Sequence, residues 1–167
     1  MNKTMLRIAN VLVLALFSGG LATVAAAEKV KVQFTKNARA VHAETKAPGA
    51  AGREIARFFY VDQINMSQGL DFVEERGHDR DNQVEGTGTH SGVALDVLRN
   101  GDEIYQTFSG THKMTTKADG SWELNYQGVS TIGGGTGPYK NAKGKLNYKG
   151  RITQDSFFEE DEGEISY

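Results

Sequence analysis

The sequence predicts an all-β domain in which about eight strands run antiparallel to their neighbours and close into a barrel. Three observations carry that expectation. The stretch Gly120–Thr153 holds two segments of two-residue period. Trp122, Leu124 and Tyr126 alternate with Glu123, Asn125 and Gln127, while Leu146, Tyr148 and Ile152 alternate with Lys145, Asn147, Lys149 and Arg151. Such alternation marks a strand with one dry and one wet face. Between two further runs of this kind lies Asn100-Gly101, the strongest short hairpin signal, which predicts a type I′ turn with positive φ at both residues. Finally, 20 glycines against 2 prolines, without any long helical period, suit a β-rich chain of many turns. An open sheet of such strands would expose pairing-prone edges, and closure removes them.

The start of the chain reads differently. Lys3 and Arg7 precede the apolar run Ile8–Phe17, and Ala25-Ala26-Ala27 offers small residues for cleavage. This pattern predicts a secretory signal peptide, residues 1–27, cut after Ala27, because the run is too short to span a bilayer. The expected location is periplasmic or secreted, with no membrane attachment after cleavage. The chain has no cysteine, which excludes disulfides, thiolate metal sites and acylation of a lipobox thiol. What remains, residues 28–167, is long enough for one domain with its own core. The formal charge of −2, with two of the 19 basic residues in the leader, argues against a general nucleic-acid binder.

Taken in order, Val30, Val32 and Phe34 predict a first short strand. Lys36–Arg53 is polar and rich in Ala and Gly, with Pro48-Gly49 as a turn signal, and is expected to be a loop holding at most one helical turn. Glu54–Ile64 carries Phe58-Phe59-Tyr60-Val61, whose aromatic and β-branched content favours a strand over a helix. Glu74–Glu85 lacks apolar periodicity and predicts an exposed loop or hairpin end. Gly86–Leu98 and Asp102–Thr115 form the hairpin around Asn100-Gly101, Ala118-Asp119-Gly120 turns the chain again, and Glu162–Tyr167 is the last strand.

The segment IGGGTGPYKNAKGKLNYKG, Ile132–Gly150, resembles the strand–GGTG–aromatic–x–x–A–x–G–strand signature of the allene oxide cyclase-like and dirigent-like barrel families. The matching positions are Gly134, Gly135, Thr136, Gly137, Tyr139, Ala142 and Gly144. The hairpin Asp102–Met114, the turn Asp119-Gly120 and the ending Glu162-Gly163-Glu164-Ile165 are also similar to bacterial members. The resemblance implies an eight-stranded antiparallel barrel with an internal cavity and a short helical turn plugging one region of the wall. A homo-oligomer, by analogy a trimer, is also implied. The families' activities are cyclisation of an unsaturated fatty-acid epoxide and steering of phenoxy radical coupling; no cavity residue carries over, so no catalytic residue is assigned.

Read from the residues, the glycine stretch is structural. A phosphate cradle would need a following Gly-Lys-Ser/Thr, whereas Pro138 follows and removes an amide donor. His42, His78, His90 and His112 form no HxH or HxxxH pair. Pairing about Asn100-Gly101 sets His90 opposite Thr111 with His112 adjacent, so these two could meet as an acid–base or metal pair, or as two hydrogen-bonded buried histidines. The runs Asp79-Arg80-Asp81 and Glu159-Glu160-Asp161-Glu162 lack the spacing of a calcium loop and are expected to be solvated. Along Asp102–Thr115 one row reads Ile104, Gln106, Phe108, Gly110, His112, Met114, and the other starts with Tyr105; parity alone does not choose the inner row. Candidate lumen residues are therefore Tyr105, His90, His112, Phe108 and Tyr126. No metal or cofactor is expected. The expected function is an exported barrel that takes a small, largely apolar ligand in its lumen or serves a structural role. The alternative is an isomerase- or cyclase-like enzyme acting on a hydrophobic substrate there.

Overall fold

The computed structural model describes residues 27–167, so the expected leader, up to its final alanine, lies outside the described residues. Eight strands follow in order: β1 (Lys29–Pro48), β2 (Glu54–Gln68), β3 (Phe72–Val84), β4 (Thr87–Leu98), β5 (Glu103–Thr116), β6 (Trp122–Gly135), β7 (Lys143–Thr153) and β8 (Phe157–Ser166). Each pairs antiparallel with the next, and β8 returns to β1 from Lys29↔Ser166 to Lys36↔Glu159, closing the barrel. The all-β, eight-stranded antiparallel barrel expected from the sequence is the fold.

One end of the interior is dry. Val32, Phe34, Phe72, Ile104, Ile132, Leu146 and Ile165 pack there as a buried cluster, and most contribute about 1.5–3 kcal/mol each on leaving water. The 3₁₀ turn Gly137–Tyr139 caps this end, with Tyr139 and Ala142 buried in the same cluster. Its backbone runs close to its neighbours: a Cβ at Gly135 would strike the Glu103 carbonyl oxygen, and one at Gly144 the Glu164 carbonyl oxygen. Thr136 Oγ1 accepts from the Glu103 amide (2.8 Å).

Four expectations are corrected. The Lys36–Arg53 loop is the second half of β1, followed by one 3₁₀ turn at Ala50–Gly52. Register shifts after Lys36 and Val41 hide it in the sequence, because each bulge moves the inward side to the other parity. The lumen side runs Val32, Phe34, Lys36, then Arg39 and Val41, then Glu44 and Lys46. The Glu74–Glu85 loop is strand β3; its inward row, Glu75, Gly77, Asp79, Asp81 and Gln83, is as polar as its outward row, so no apolar period could appear. The acidic run at 159–162 is not uniformly solvated, since β8 starts at Phe157 and turns Glu159 (5% exposed) and Asp161 (1%) inward.

The fourth correction is the hairpin. The Gly101 amide donates to the Leu98 carbonyl (2.9 Å) and the Leu98 amide to the Asp102 carbonyl (2.8 Å). Of the two expected turn residues only Gly101 takes positive φ, at 88°. The connection is therefore a three-residue loop rather than a type I′ turn. That single extra residue sets His90 opposite Gly110 and His112 opposite Gly88. Both histidines thus fall on the same face, two rungs apart.

A candidate ligand cavity in the barrel lumen

Above the dry end, β1, β2, β3, β4, β5 and β8 each send polar side chains into the interior. Lys36 is 1% exposed, and its ammonium lies 2.6 Å from Glu75 Oε2, 3.4 Å from Asp161 Oδ2 and in contact with Glu159 Oε1. Glu75 also accepts from the Tyr60 hydroxyl (3.0 Å) and from Gln106 Nε2 (3.0 Å), which in turn donates to Asp96 Oδ2 (3.0 Å). Beside this cluster the Arg39 guanidinium forks onto Asp62 at 2.8 and 2.7 Å and is sandwiched 4.4 Å from the rings of both Tyr60 and Phe157. Bidentate geometry and aromatic faces suit arginine here in a way lysine could not match.

Carboxylates outnumber cations, and their titration divides accordingly. Burial alone would lower the Lys36 pKa, but Asp161, Glu159 and Glu75 prevail and hold it well above its ordinary value. Burial likewise opposes the Glu159 charge, yet Lys36 and Arg39 bring its carboxyl down to about 2. Asp161 and Asp96 are held well above the carboxylate range, first by burial and, for Asp96, next by Glu75. Glu159 is therefore the ionised partner of Lys36, whereas burial favours the neutral form of Asp96 and Asp161.

The next layer toward the mouth is aromatic. His90 Nε2 lies 2.7 Å from the Tyr148 hydroxyl, and His90 Nδ1 lies 3.4 Å from His112 Nδ1, with the two imidazoles stacked at 5.6 Å. Burial, then His112, takes the His90 pKa down to about 4, and burial lowers His112 as well. Both rings are neutral at pH 7, so one proton sits between the two Nδ1 atoms and the chain Tyr148–His90–His112 ends on His112 Nε2. Glycines make room for this layer. A Cβ at Gly128 would run into the Tyr148 hydroxyl, one at Gly150 into the Tyr126 ring and one at Gly77 into the Tyr60 ring. At Gly92 it would meet Phe108 at 2.5 Å. Much of the glycine content thus serves the inner wall, where rings lie flat against the backbone, as well as the turns.

These layers surround an open-mouthed cavity of about 540 Å³. Phe58, Phe108, Met114, Trp122, Leu124 and Ile152 supply apolar wall, and Lys36, Arg39, Glu75, Asp79, Asp81, Glu159 and Asp161 the polar part. Two cavity-lining atoms are buried with no protein partner: Asp79 Oδ1 and His112 Nε2. Burial raises the Asp79 carboxyl to about 7, helped by Asp81, and raises Asp81 to about 6. Among the described residues no three His, Cys, Asp or Glu side chains converge to hold a metal ion.

Of the lumen candidates drawn from the sequence, His90, His112, Phe108 and Tyr126 line this cavity. Tyr105 does not: it is 42% exposed on the outer wall, its hydroxyl 3.1 Å from Glu103, because it occupies the odd row of β5 while the even row faces in. The glycine signature, Gly134, Gly135, Thr136, Gly137, Tyr139 and Gly144, lies outside the cavity lining, and Tyr139 packs in the apolar end. Sequence reasoning missed Lys36, Arg39, Asp79, Asp81, Tyr148, Glu159 and Asp161. A signal existed for Asp62 and Asp96, which continue the inward rows Phe58–Tyr60 and Leu98, a polar residue on a buried parity. No family model, curated protein or solved structure matches the chain.

Proposed function

We propose that this is an exported container protein that holds one small molecule, largely apolar in body, inside the barrel. The observation that carries the reading is the open-mouthed cavity of about 540 Å³, apolar on several sides yet lined by buried polar atoms without partners. Pockets that hold small ligands have this volume and this mixture, with apolar wall for affinity and a few placed polar groups for orientation. The orphaned Asp79 and His112 atoms carry a desolvation cost that a bound molecule or water would offset. The resemblance of Ile132–Gly150 to allene oxide cyclase-like and dirigent-like barrels supports the same reading, and with it a homo-oligomer. A leader cut after Ala27 would place the container in the periplasm or outside the cell. Native mass spectrometry and thermal-shift screening of amphipathic aromatic and aliphatic compounds test the proposal: one or more should bind one per barrel and raise the melting temperature. Binding that survives Phe108→Trp, which fills part of the cavity, would place the ligand elsewhere.

A second reading has its own support. The neutral Tyr148–His90–His112 chain delivers an imidazole nitrogen to an apolar cavity, the arrangement needed for general acid–base work near neutral pH. An isomerase- or cyclase-like reaction would use His112 Nε2 as the proton carrier. Incorporation of solvent deuterium into a bound enolisable ketone, lost in His112→Asn, would support it; exchange equal to that of the variant would remove it.

A further inference from the structure

The cavity has a charge imbalance. Eight carboxylate side chains line it against three cationic ones. All three cations are already taken: Lys36 by Glu75, Glu159 and Asp161, Arg39 by Asp62, and Lys46 by Glu44 (3.1 Å). Asp79 and Asp81, neighbours on the inward row of β3, have no basic partner among the described residues, and the closest charged-type contact is His112 Nδ1, 3.9 Å from Asp81 and neutral at pH 7. A separate observation marks the same place as a receiving site. His112 is 5% exposed and presents to this cavity its Nε2, a polar atom that nothing in the protein satisfies. Phe58, Phe108 and Tyr148 add aromatic faces to the same lining.

We propose that the head group of the bound molecule is an organic cation, an amine or guanidinium on an apolar body, with Asp79 and Asp81 as its counter-ions. A cation supplies the charge that these two carboxylates lack, and aromatic faces attract it through their ring quadrupoles. At the mouth, Glu54 and Glu85 also lack a cationic partner among the described residues, so the field along the entrance favours positively charged molecules. An anionic ligand, by contrast, would meet only cations already committed to carboxylates. The idea rests on the container reading and specifies what the container holds. The groups facing Asp79 across the lumen are Arg39 from β1, His90 from β4, His112 from β5, Tyr148 from β7 and Glu159 from β8, with Asp81 beside it.

The test is binding of matched probes to the full barrel: decylamine, phenylbutylamine and tryptamine, each against its alcohol isostere, by titration calorimetry at about pH 8 and about pH 5. The amines are expected to bind at least about tenfold more tightly than the alcohols at the higher pH, and to lose that advantage at the lower pH as the two aspartates take up protons. D79N/D81N should narrow the amine-to-alcohol ratio and flatten its pH dependence, while E164Q on the outer wall should change neither; circular dichroism checks that each variant is folded. Alcohols binding as tightly as amines would overturn the cationic head group and leave the container intact. If neither class binds, both the head group and the container are overturned. An amine preference unchanged in D79N/D81N would also overturn the assignment.

Discussion

Lys36 joins three strands through one ammonium, taking Glu75 from β3 and Glu159 and Asp161 from β8 onto a side chain of β1. Removing one member of such a buried ion cluster costs far more than the cluster contributes, because the remaining charges lose their main compensation. Lys36→Met is expected to destabilise the barrel by roughly 3–5 kcal/mol in urea unfolding near neutral pH. The pH dependence has a definite sign. The Glu159 carboxyl titrates at about 2 in the fold against 4.5 ordinarily, so its stabilisation is complete above 4.5 and is lost as pH falls from there toward 2. Lys36→Met should lose that acid-sensitive component; an unchanged acid limb would contradict the pairing. Asp79 behaves in the opposite sense. Its carboxyl is raised from 3.8 to about 7, so the fold loses stability as pH rises through that window and the buried group must ionise. Asp79→Asn should therefore be the more stable protein above pH 7 by roughly 1–3 kcal/mol and equal to the parent below pH 4. A residue that weakens the empty barrel while facing its cavity is what a binding role predicts.

Among the elements, the strands owe their inner geometry to glycine–aromatic pairs. Gly128→Ala would push against the Tyr148 hydroxyl and Gly150→Ala against the Tyr126 ring, in a wall where the ring has no open side to move into except the lumen. Each is expected to cost about 1–3 kcal/mol and to weaken ligand binding. Gly133→Ala, where nothing lies within 4 Å of an added Cβ, should stay within about 0.5 kcal/mol of the parent. Equal destabilisation by all three would show that the rings do not depend on the glycines. β1 is divided as an element: Lys29–Lys36 pairs with β8, and from Gln33 onward also with β2, while Ala38–Pro48 pairs with β2 alone and leaves an edge. Amide exchange is accordingly expected to be slow in the first half and faster at the unpaired amides of the second. The strands legible in the sequence were β2, whose aromatic and β-branched run stands out, and β4 to β7, whose residues alternate with a two-residue period. The second half of β1 and β3 were unreadable for separate reasons, bulges that switch parity in one and a polar lumen face in the other.

For the whole molecule, β8 is both the last strand and the closing one. It supplies Glu159 and Asp161 and seals β1 to β7. Ending the chain before Phe157 should open the barrel, strand Lys36 with a single carboxylate and abolish the cooperative thermal transition. A truncated protein that still melts cooperatively would show that closure is dispensable. Closure also creates the shared interior, so charges separated by more than a hundred residues in sequence, such as Lys36 and Glu159, titrate as one system.

The sequence by itself determined the class of fold: alternating segments, turn signals and a need to bury sheet edges left an antiparallel barrel as the economical solution. It also marked His90, His112, Phe108 and Tyr126 as lumen candidates. Only the tertiary structure decided which row of each strand faces inward, because a one-residue difference in the Leu98–Asp102 turn moves every side chain beyond it to the other face. Only the closed barrel, likewise, revealed the acidic residues as its interior. A carboxylate on a strand looks solvated in a local window; whether it meets water or Lys36 depends on which distant strand lies across the lumen.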